Sequence, residues 1–421
     1  MLVSVSFKKK LLATATGLTL SVAAVSAEKD VEVLHWWTSG GEAAALSVLK
    51  DDLKTKGFGW KDMPIAGGGG DNAKTVLRAR VVGGNAPTAV QMLGFSIQDW
   101  AAEDALSNLN KLAKKEKWDD KVPPAVQQFS KYNGQWVAAP VNIHRTNWVW
   151  ANKKIFDELN LEVPQSFAEL LAISKKISAA GYIPLAHGGQ AWQEATIFDS
   201  VVLSVGGPEF YRKAFYDLDE SALSSATMAE VFDQMRALRG MVDDNFPGRD
   251  WNLATSMVIR GEAAMQIMGD WAKGEFLNAK KVPNEDFLCF QYPGTEGMFS
   301  FNSDQFAMFE VSRKARKGQE AMAASVMDEG FQEQFNLVKG SIPANMNVKP
   351  DSFESCGQKS MADLKDAVKS DTMVGSIAHG HAVRADIQGV IYDVVTNHFN
   401  NTKMTSKQAV NTLVSTIKGV M

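Results

Sequence analysis

Val31-Glu32-Val33-Leu34-His35-Trp36-Trp37-Thr38-Ser39-Gly40-Gly41-Glu42 decides the fold of this 421-residue chain. It starts as a short apolar strand and breaks at Ser39-Gly40-Gly41. It then resumes with Leu46, Leu49 and Leu53 at i, i+3, i+7, the spacing of one helix face. A strand, a turn and a helix at the head of an α/β domain put the turn at the carboxyl edge of a sheet. That edge is where open α/β sheets take their ligands. Two adjacent indoles, a hydroxyl, glycines and a carboxylate occupy it. An indole with a free face suits the C–H face of a sugar ring, although either ring could instead cap the core.

Working outward, residues 1–27 read as a leader rather than as fold. Lys8-Lys9-Lys10 precede an apolar stretch from Leu11 to Val25, and Val25-Ser26-Ala27 offers small residues for cleavage near Glu28. The apolar stretch is too short to span a bilayer. The expected home of the mature chain is the periplasm. Removing those 27 residues and their three lysines leaves 394 residues with 41 basic and 48 acidic side chains, a net charge of −7. Such a chain predicts two or three domains with ample core. Its mild acidity, with no basic cluster, argues against nucleic acid or an anionic membrane as partner. Cys289 and Cys356 are the only cysteines and form no metal or redox spacing. In an oxidising compartment they point to one disulfide.

Further along, Gly67-Gly68-Gly69-Gly70 with Lys74-Thr75 approaches a phosphate-loop spacing. Ala73 stands where that loop needs glycine, so the stretch reads as a turn into a helix over 72–82. Pro87 to Leu93 reads as a strand, and a helix follows around 97–105. Trp136 to Asn142 is extended, and Trp148 to Phe156 passes from strand to helix. Ser166 with Glu169 has capping-box spacing ahead of Leu170, Ile173 and Ile177. Met228, Val231, Met235, Leu238 and Val242 form another apolar helical stripe. Strands are expected at Ile183-Pro184-Leu185 and from Ala263 to Met268, within a region (150–280) that is otherwise mostly helical.

Trp148-Val149-Trp150-Ala151-Asn152-Lys153, followed by Val163-Pro164-Gln165-Ser166-Phe167-Ala168-Glu169-Leu170, resembles the signature region of family 1 extracellular solute-binding proteins, which deliver sugars to ABC importers. Trp36-Trp37, Gly67-Gly68-Gly69, Pro140-Val141-Asn142-Ile143-His144-Arg145, Met268-Gly269-Asp270-Trp271, Pro293-Gly294-Thr295, Ser303-Asp304, Lys339-Gly340-Ser341 and His379-Gly380 resemble the glucose- or glucose/mannose-binding members. The resemblance implies an α/β, two-lobe periplasmic-binding-protein fold of type II, like maltose-binding protein, with discontinuous lobes joined by a hinge. The boundaries expected are 28–139 with 303–341 for the N-terminal lobe and 140–302 with 342–421 for the C-terminal lobe.

It also implies no catalysis, no cofactor, a monomer, a monosaccharide ligand and the membrane permease subunits of an ABC importer as partners. Trp36 and Trp37 fall on the family's N-terminal aromatic pair, Glu42 on the carboxylate after that turn, and Trp251 and Trp271 on indoles of the second lobe. Asp304, Lys339 and His379 fall on groups that bond sugar hydroxyls, and Gln91 joins the set. Leu93 departs from it, because relatives commonly carry a polar or basic side chain there. The sugar expected is glucose or mannose, the alternatives being another monosaccharide, a short oligosaccharide, or a periplasmic glycoside hydrolase.

Blander readings stand beside these. Glu42 would suit a first helical turn on dipole grounds alone, and Lys339 a last turn. His379 and His381 are spaced i, i+2 without nearby acids, a poor metal pair. Trp60, Trp100 and Trp118 read as structural.

Overall fold

A computed structural model describes residues 30–421, so the expected leader lies outside the described residues. Its first part runs β1 (Asp30–His35), α1 (Gly40–Thr55), β2 (Gly59–Pro64), α2 (Asp71–Val82), β3 (Ala89–Met92) and β4 (Ala138–Pro140). Next come β5 (His144–Arg145), β6 (Trp148–Asn152), β7 (Ile183–Leu185), α3 (Ala191–Phe215), α4 (Trp251–Arg260), β8 (Ala263–Ile267), α5 (Ala272–Asn278) and β9 (Phe287–Gln291). The elements that complete the sheets and cores are β10 (Phe299–Asn302), β11 (Gln305–Met308), α6 (Glu329–Lys339), α7 (Ser355–Ser370) and β12 (Met373–Gly375).

Three sheets organise these elements. A five-stranded sheet has the order β2-β1-β3-β11-β4, a four-stranded sheet β9-β6-β8-β7 and a three-stranded sheet β12-β10-β5. β1 pairs in parallel with both β2 and β3. It is therefore an inner strand, and Val31, Val33 and Leu34 are fully buried. Glu32 between them turns to Arg80 and Lys61. α1 begins as its sequence dictates. Ser39 accepts from the Glu42 amide while the Glu42 carboxylate returns to the Ser39 amide, a box worth ~1 kcal/mol. Leu46, Leu49 and Leu53 then pack under the sheet with Phe306 and Met308.

The larger second core gathers Val149, Ile173, Phe198, Met235, Ile267 and Tyr292 with Ile391 and Leu413 from near the end of the chain. The predicted helix after Ser166 forms over Phe167–Ala179 with its capping box complete. Met228, Val231, Met235 and Leu238 line the buried side of Ala226–Arg239, and Val242 lies beyond that helix end. The helix expected around 97–105 starts earlier and spans Phe95–Ala102, because Gly94 (φ +47°) makes the break from β3.

Two stretches cross between the five- and three-stranded sheets: Val141-Asn142-Ile143 from β4 to β5, and Ser303-Asp304 from β10 to β11. They are tied together, since the Val141 amide donates to the Asp304 carbonyl (3.0 Å) and the Asp304 amide to Asn142 Oδ1 (2.8 Å). A third stretch joins them after α6, where Ile143 and Ile342 exchange backbone hydrogen bonds. Cys289 of β9 and Cys356 of α7 form a disulfide with Cα atoms 6.1 Å apart.

Candidate functional site

The turn after β1, the start of α1, the Ser303-Asp304 crossover and the end of α6 converge on one cavity. Trp36, Trp37, Glu42, Trp251, Trp271, Asp304, Lys339 and His379 all line it, and so does Leu93. These are eight of the nine ligand residues expected from the sequence. The ninth, Gln91, stands behind them. Its Nε2 donates to Asp304 Oδ1 (2.8 Å) and its Oε1 accepts from the Trp36 amide (3.1 Å). Both functional groups of Gln91 are thereby engaged by the protein itself.

Asn302, His144, Trp192 and Gly69 complete the wall and were not in the sequence-based set. Asn302 Oδ1 is buried with no hydrogen-bond partner among the described residues. Leaving such an oxygen unpaired costs ~1–3 kcal/mol, a cost that a ligand hydroxyl would remove.

Glycine backbone sets the indole positions. Gly69 and Gly70 have φ of +58° and +103°, which only glycine adopts at no cost. A Cβ on Gly70 would lie 3.0 Å from the Trp36 ring, and one on Gly69 would lie 3.1 Å from Trp192. The Gly67–Gly70 turn thus packs bare backbone on two indoles from distant parts of the chain. Trp37 has less freedom, because it is buried edge-on to Phe306 and tilted against Phe335. Trp271 packs edge-on against His144 and His379.

The polar groups form a buried charge network. His144 bridges Asp270 through Nδ1 and Asp304 through Nε2 (2.9 Å), and Asn142 Nδ2 also donates to Asp304 (3.0 Å). Burial raises the Asp304 carboxyl, but hydrogen bonds and charge from His144, with Lys339 and Asn142, outweigh it and hold Asp304 well below the usual carboxylate range. Burial likewise opposes a charge on His144, and the two flanking carboxylates overcome it and raise its pKa. Lys339 Nζ sits 3.9 Å from Glu42 Oε1 and 5.6 Å from the centre of the Trp37 ring. Glu42 is pushed upward by burial, with Lys339 opposing. Both bland readings of these two residues hold as far as they go, since Glu42 caps α1 and Lys339 closes α6. Each also reaches the cavity.

The wall offers several acceptors, Asp304, Glu42, Asn302 Oδ1 and one nitrogen of His379, beside the Lys339 ammonium, the Asn302 amide N–H groups and indole N–H groups. A neutral polyol, rich in O–H donors and with an apolar ring face, fits such a wall. Leu93 adds no hydrogen bond and also lines a neighbouring cavity with Leu34, Leu77, Val90 and Trp100. Among the described residues no group of three or more His, Cys, Asp or Glu could hold a metal ion.

Comparison with known proteins identifies the family and the fold. Residues 63–314 match the family model described as bacterial extracellular solute-binding protein. The chain is 57% identical over 401 residues to a probable sugar-binding periplasmic protein of Rhizobium meliloti, covering 95% of this chain and 96% of the relative. It is 25% identical over 263 residues to the glucose-binding protein GlcS of Saccharolobus solfataricus, covering 59% of this chain and 47% of that one. Among solved structures, the bacterial solute receptor AcbH, described as having an exclusive preference for β-D-galactopyranose, superposes with a TM-score of 0.79. It does so at 16% identity, covering 93% of this chain and 99% of that one. At that identity the likeness concerns the fold, which is the two-lobe fold of the maltose-binding-protein-like receptors.

Proposed function

The chain belongs to the bacterial extracellular solute-binding protein family, and from that premise we propose that it holds one hexose, D-glucose or its C2 epimer D-mannose, between two closing lobes. It is a periplasmic binding protein and not an enzyme. It supplies sugar to the membrane permease subunits of an ABC importer and acts as a monomer. The lobes are residues 28–139 with 303–341 and residues 140–302 with 342–421. Their hinge is the set of crossovers at 141–143, 303–304 and 340–342.

Trp36 offers one face to the ring and Trp251 or Trp271 the other. Asp304, Glu42, Asn302 and His379 accept from hydroxyls and Lys339 donates, while Gln91 acts through Asp304 and Trp36. The observation that carries this reading is the wall itself: several acceptors, one of them an orphaned amide oxygen, and a lone ammonium among indoles. The glucose-binding name of one distant relative supports the choice of hexose.

Tryptophan fluorescence titration of the purified protein with D-glucose, D-mannose, D-galactose, D-xylose and maltose tests it. The expected result is saturable binding of glucose or mannose at least about tenfold tighter than of maltose, a margin of ~1.4 kcal/mol. Tighter binding of maltose, or no response to any monosaccharide, would reject it.

A further inference from the structure

Asp199 is a fully buried carboxylate on α3 that lies outside the cavity wall and has no cationic partner among the described residues. Four donors surround it instead. The Ile377 amide (3.0 Å) donates to Oδ1, and so does the Tyr211 hydroxyl (2.7 Å), whose one proton it shares with the Gly375 carbonyl (2.9 Å). The Ser376 hydroxyl and the Ala378 amide (3.2 Å) donate to Oδ2. The loop after β12 is thus wrapped around this carboxylate, and that loop carries His379. Ser376 Oγ also lies 2.8 Å from His379 Nδ1.

Proton counting then fixes the histidine. An ionised carboxylate only accepts, and a serine hydroxyl has a single proton to give. Ser376 gives that proton to Asp199, so its oxygen is left as an acceptor, and the group it accepts from is the Nδ1–H of His379. A neutral imidazole protonated at Nδ1 carries its lone pair on Nε2. In His379, Nε2 has no hydrogen-bond partner among the described residues, and the ring lines the cavity. Burial, together with the charges of His381 and His144, pushes His379 down to about 3, so the ring is neutral at ordinary pH. Burial raises Asp199 to about 6, which leaves it ionised above that pH.

We infer that Asp199 and Ser376 are positioning residues that lock His379 with its Nε2 lone pair toward the cavity, so that it accepts from a ligand hydroxyl and cannot donate to one. The inference rests on the hexose reading of the cleft. It names a rule for the ligand: at one ring position the substituent must be a donor. Fluorine in place of that hydroxyl accepts weakly and donates nothing, so it meets lone pair against lone pair.

Two measurements on the full-length mature protein test this separately. The first is long-range 1H–15N correlation of the histidine side chains, with His379→Gln identifying the resonance. The expected spectrum has the proton on Nδ1 in wild type and on Nε2 in Ser376→Ala. The second is titration with D-glucose and with its 2-, 3-, 4- and 6-deoxyfluoro analogues. One fluoro analogue should bind wild type at least about tenfold more weakly than glucose, and that penalty should shrink in Ser376→Ala. A wild-type proton on Nε2 overturns the proposal, with no variant needed. Retention of the Nδ1 proton in Ser376→Ala overturns the role of the pair, as does an unchanged fluorine penalty. If the tautomer is as expected but neither glucose nor any analogue binds wild type, the hexose reading falls and the ligand rule with it.

Discussion

Three buried histidines show how neighbours alone set a charge. His144 lies between two carboxylates and is raised, whereas burial drives His381 and His398 down to about 4. The signs oppose each other. A histidine depressed in the fold takes up its proton in the unfolded chain near pH 6.5 and in the native state only near pH 4, so stability falls as pH drops through that window. Asp199, raised to about 6, works the other way, because the native state holds its proton more tightly than the unfolded chain does. His398 is the cleanest probe, since both its ring nitrogens lack partners among the described residues and its ring packs edge-on to Phe232. His398→Phe removes one of these proton uptakes and keeps the packing. The fall in Tm between about pH 7 and about pH 5 should therefore be smaller in the variant. An equal fall, read by scanning calorimetry, would contradict the assignment. Trp36, Trp37 and Glu42 were legible at this scale because a strand, a glycine break and a helix stripe lie together in the sequence. His144 and Asn302 were not, since a histidine bridging carboxylates 126 and 160 residues away leaves no local pattern.

Elements were read best where caps and periodicity agree. Ser39 with Glu42 and Ser166 with Glu169 both form complete boxes, and the apolar stripes behind them are buried. Trp192 escaped notice because its place in the site depends on Gly69, from a turn more than a hundred residues earlier, packing against its ring. The disulfide is the clearest long-range tie between elements. Cys289 on β9 and Cys356 on α7 enclose 67 residues, and in the chain-entropy model closing such a loop contributes ~4 kcal/mol. α7 also sends Met361 and Leu364 into the core that holds Phe299 and Met373, while Cys289 and Cys356 both pack with Trp148 and Trp150. The bond therefore fastens α7 to the cluster around Trp148 and Trp150. The double variant Cys289→Ala/Cys356→Ala should lose ~2–5 kcal/mol in urea unfolding with the native fold retained. A loss under ~1 kcal/mol would mean that the unfolded chain is already held compact.

At the scale of the whole molecule, the two-lobe architecture was carried by resemblance, since no periodicity reveals which distant segments share a sheet. The structure supplies the physical content: β4–β5 and β10–β11 cross between sheets side by side, and Asp304 sits on one crossing with Lys339 just before a third. In the proposed reading, groups so placed gain ligand contacts chiefly when the lobes shut. A sugar can shift a hinge only by binding the closed form better than the open one. Calorimetric titration of D-glucose into wild type, Trp36→Ala and Asp304→Asn tests this most directly. Asp304→Asn keeps the shape but replaces one acceptor oxygen with a donor and strips His144 of a countercharge, at a cost of ~1–3 kcal/mol. Trp36→Ala should cost at least as much through lost ring contact. The account predicts one site per chain in wild type, with affinity falling about tenfold to a hundredfold in each variant. Variants that bind glucose within about twofold of wild type would place the sugar elsewhere and contradict it.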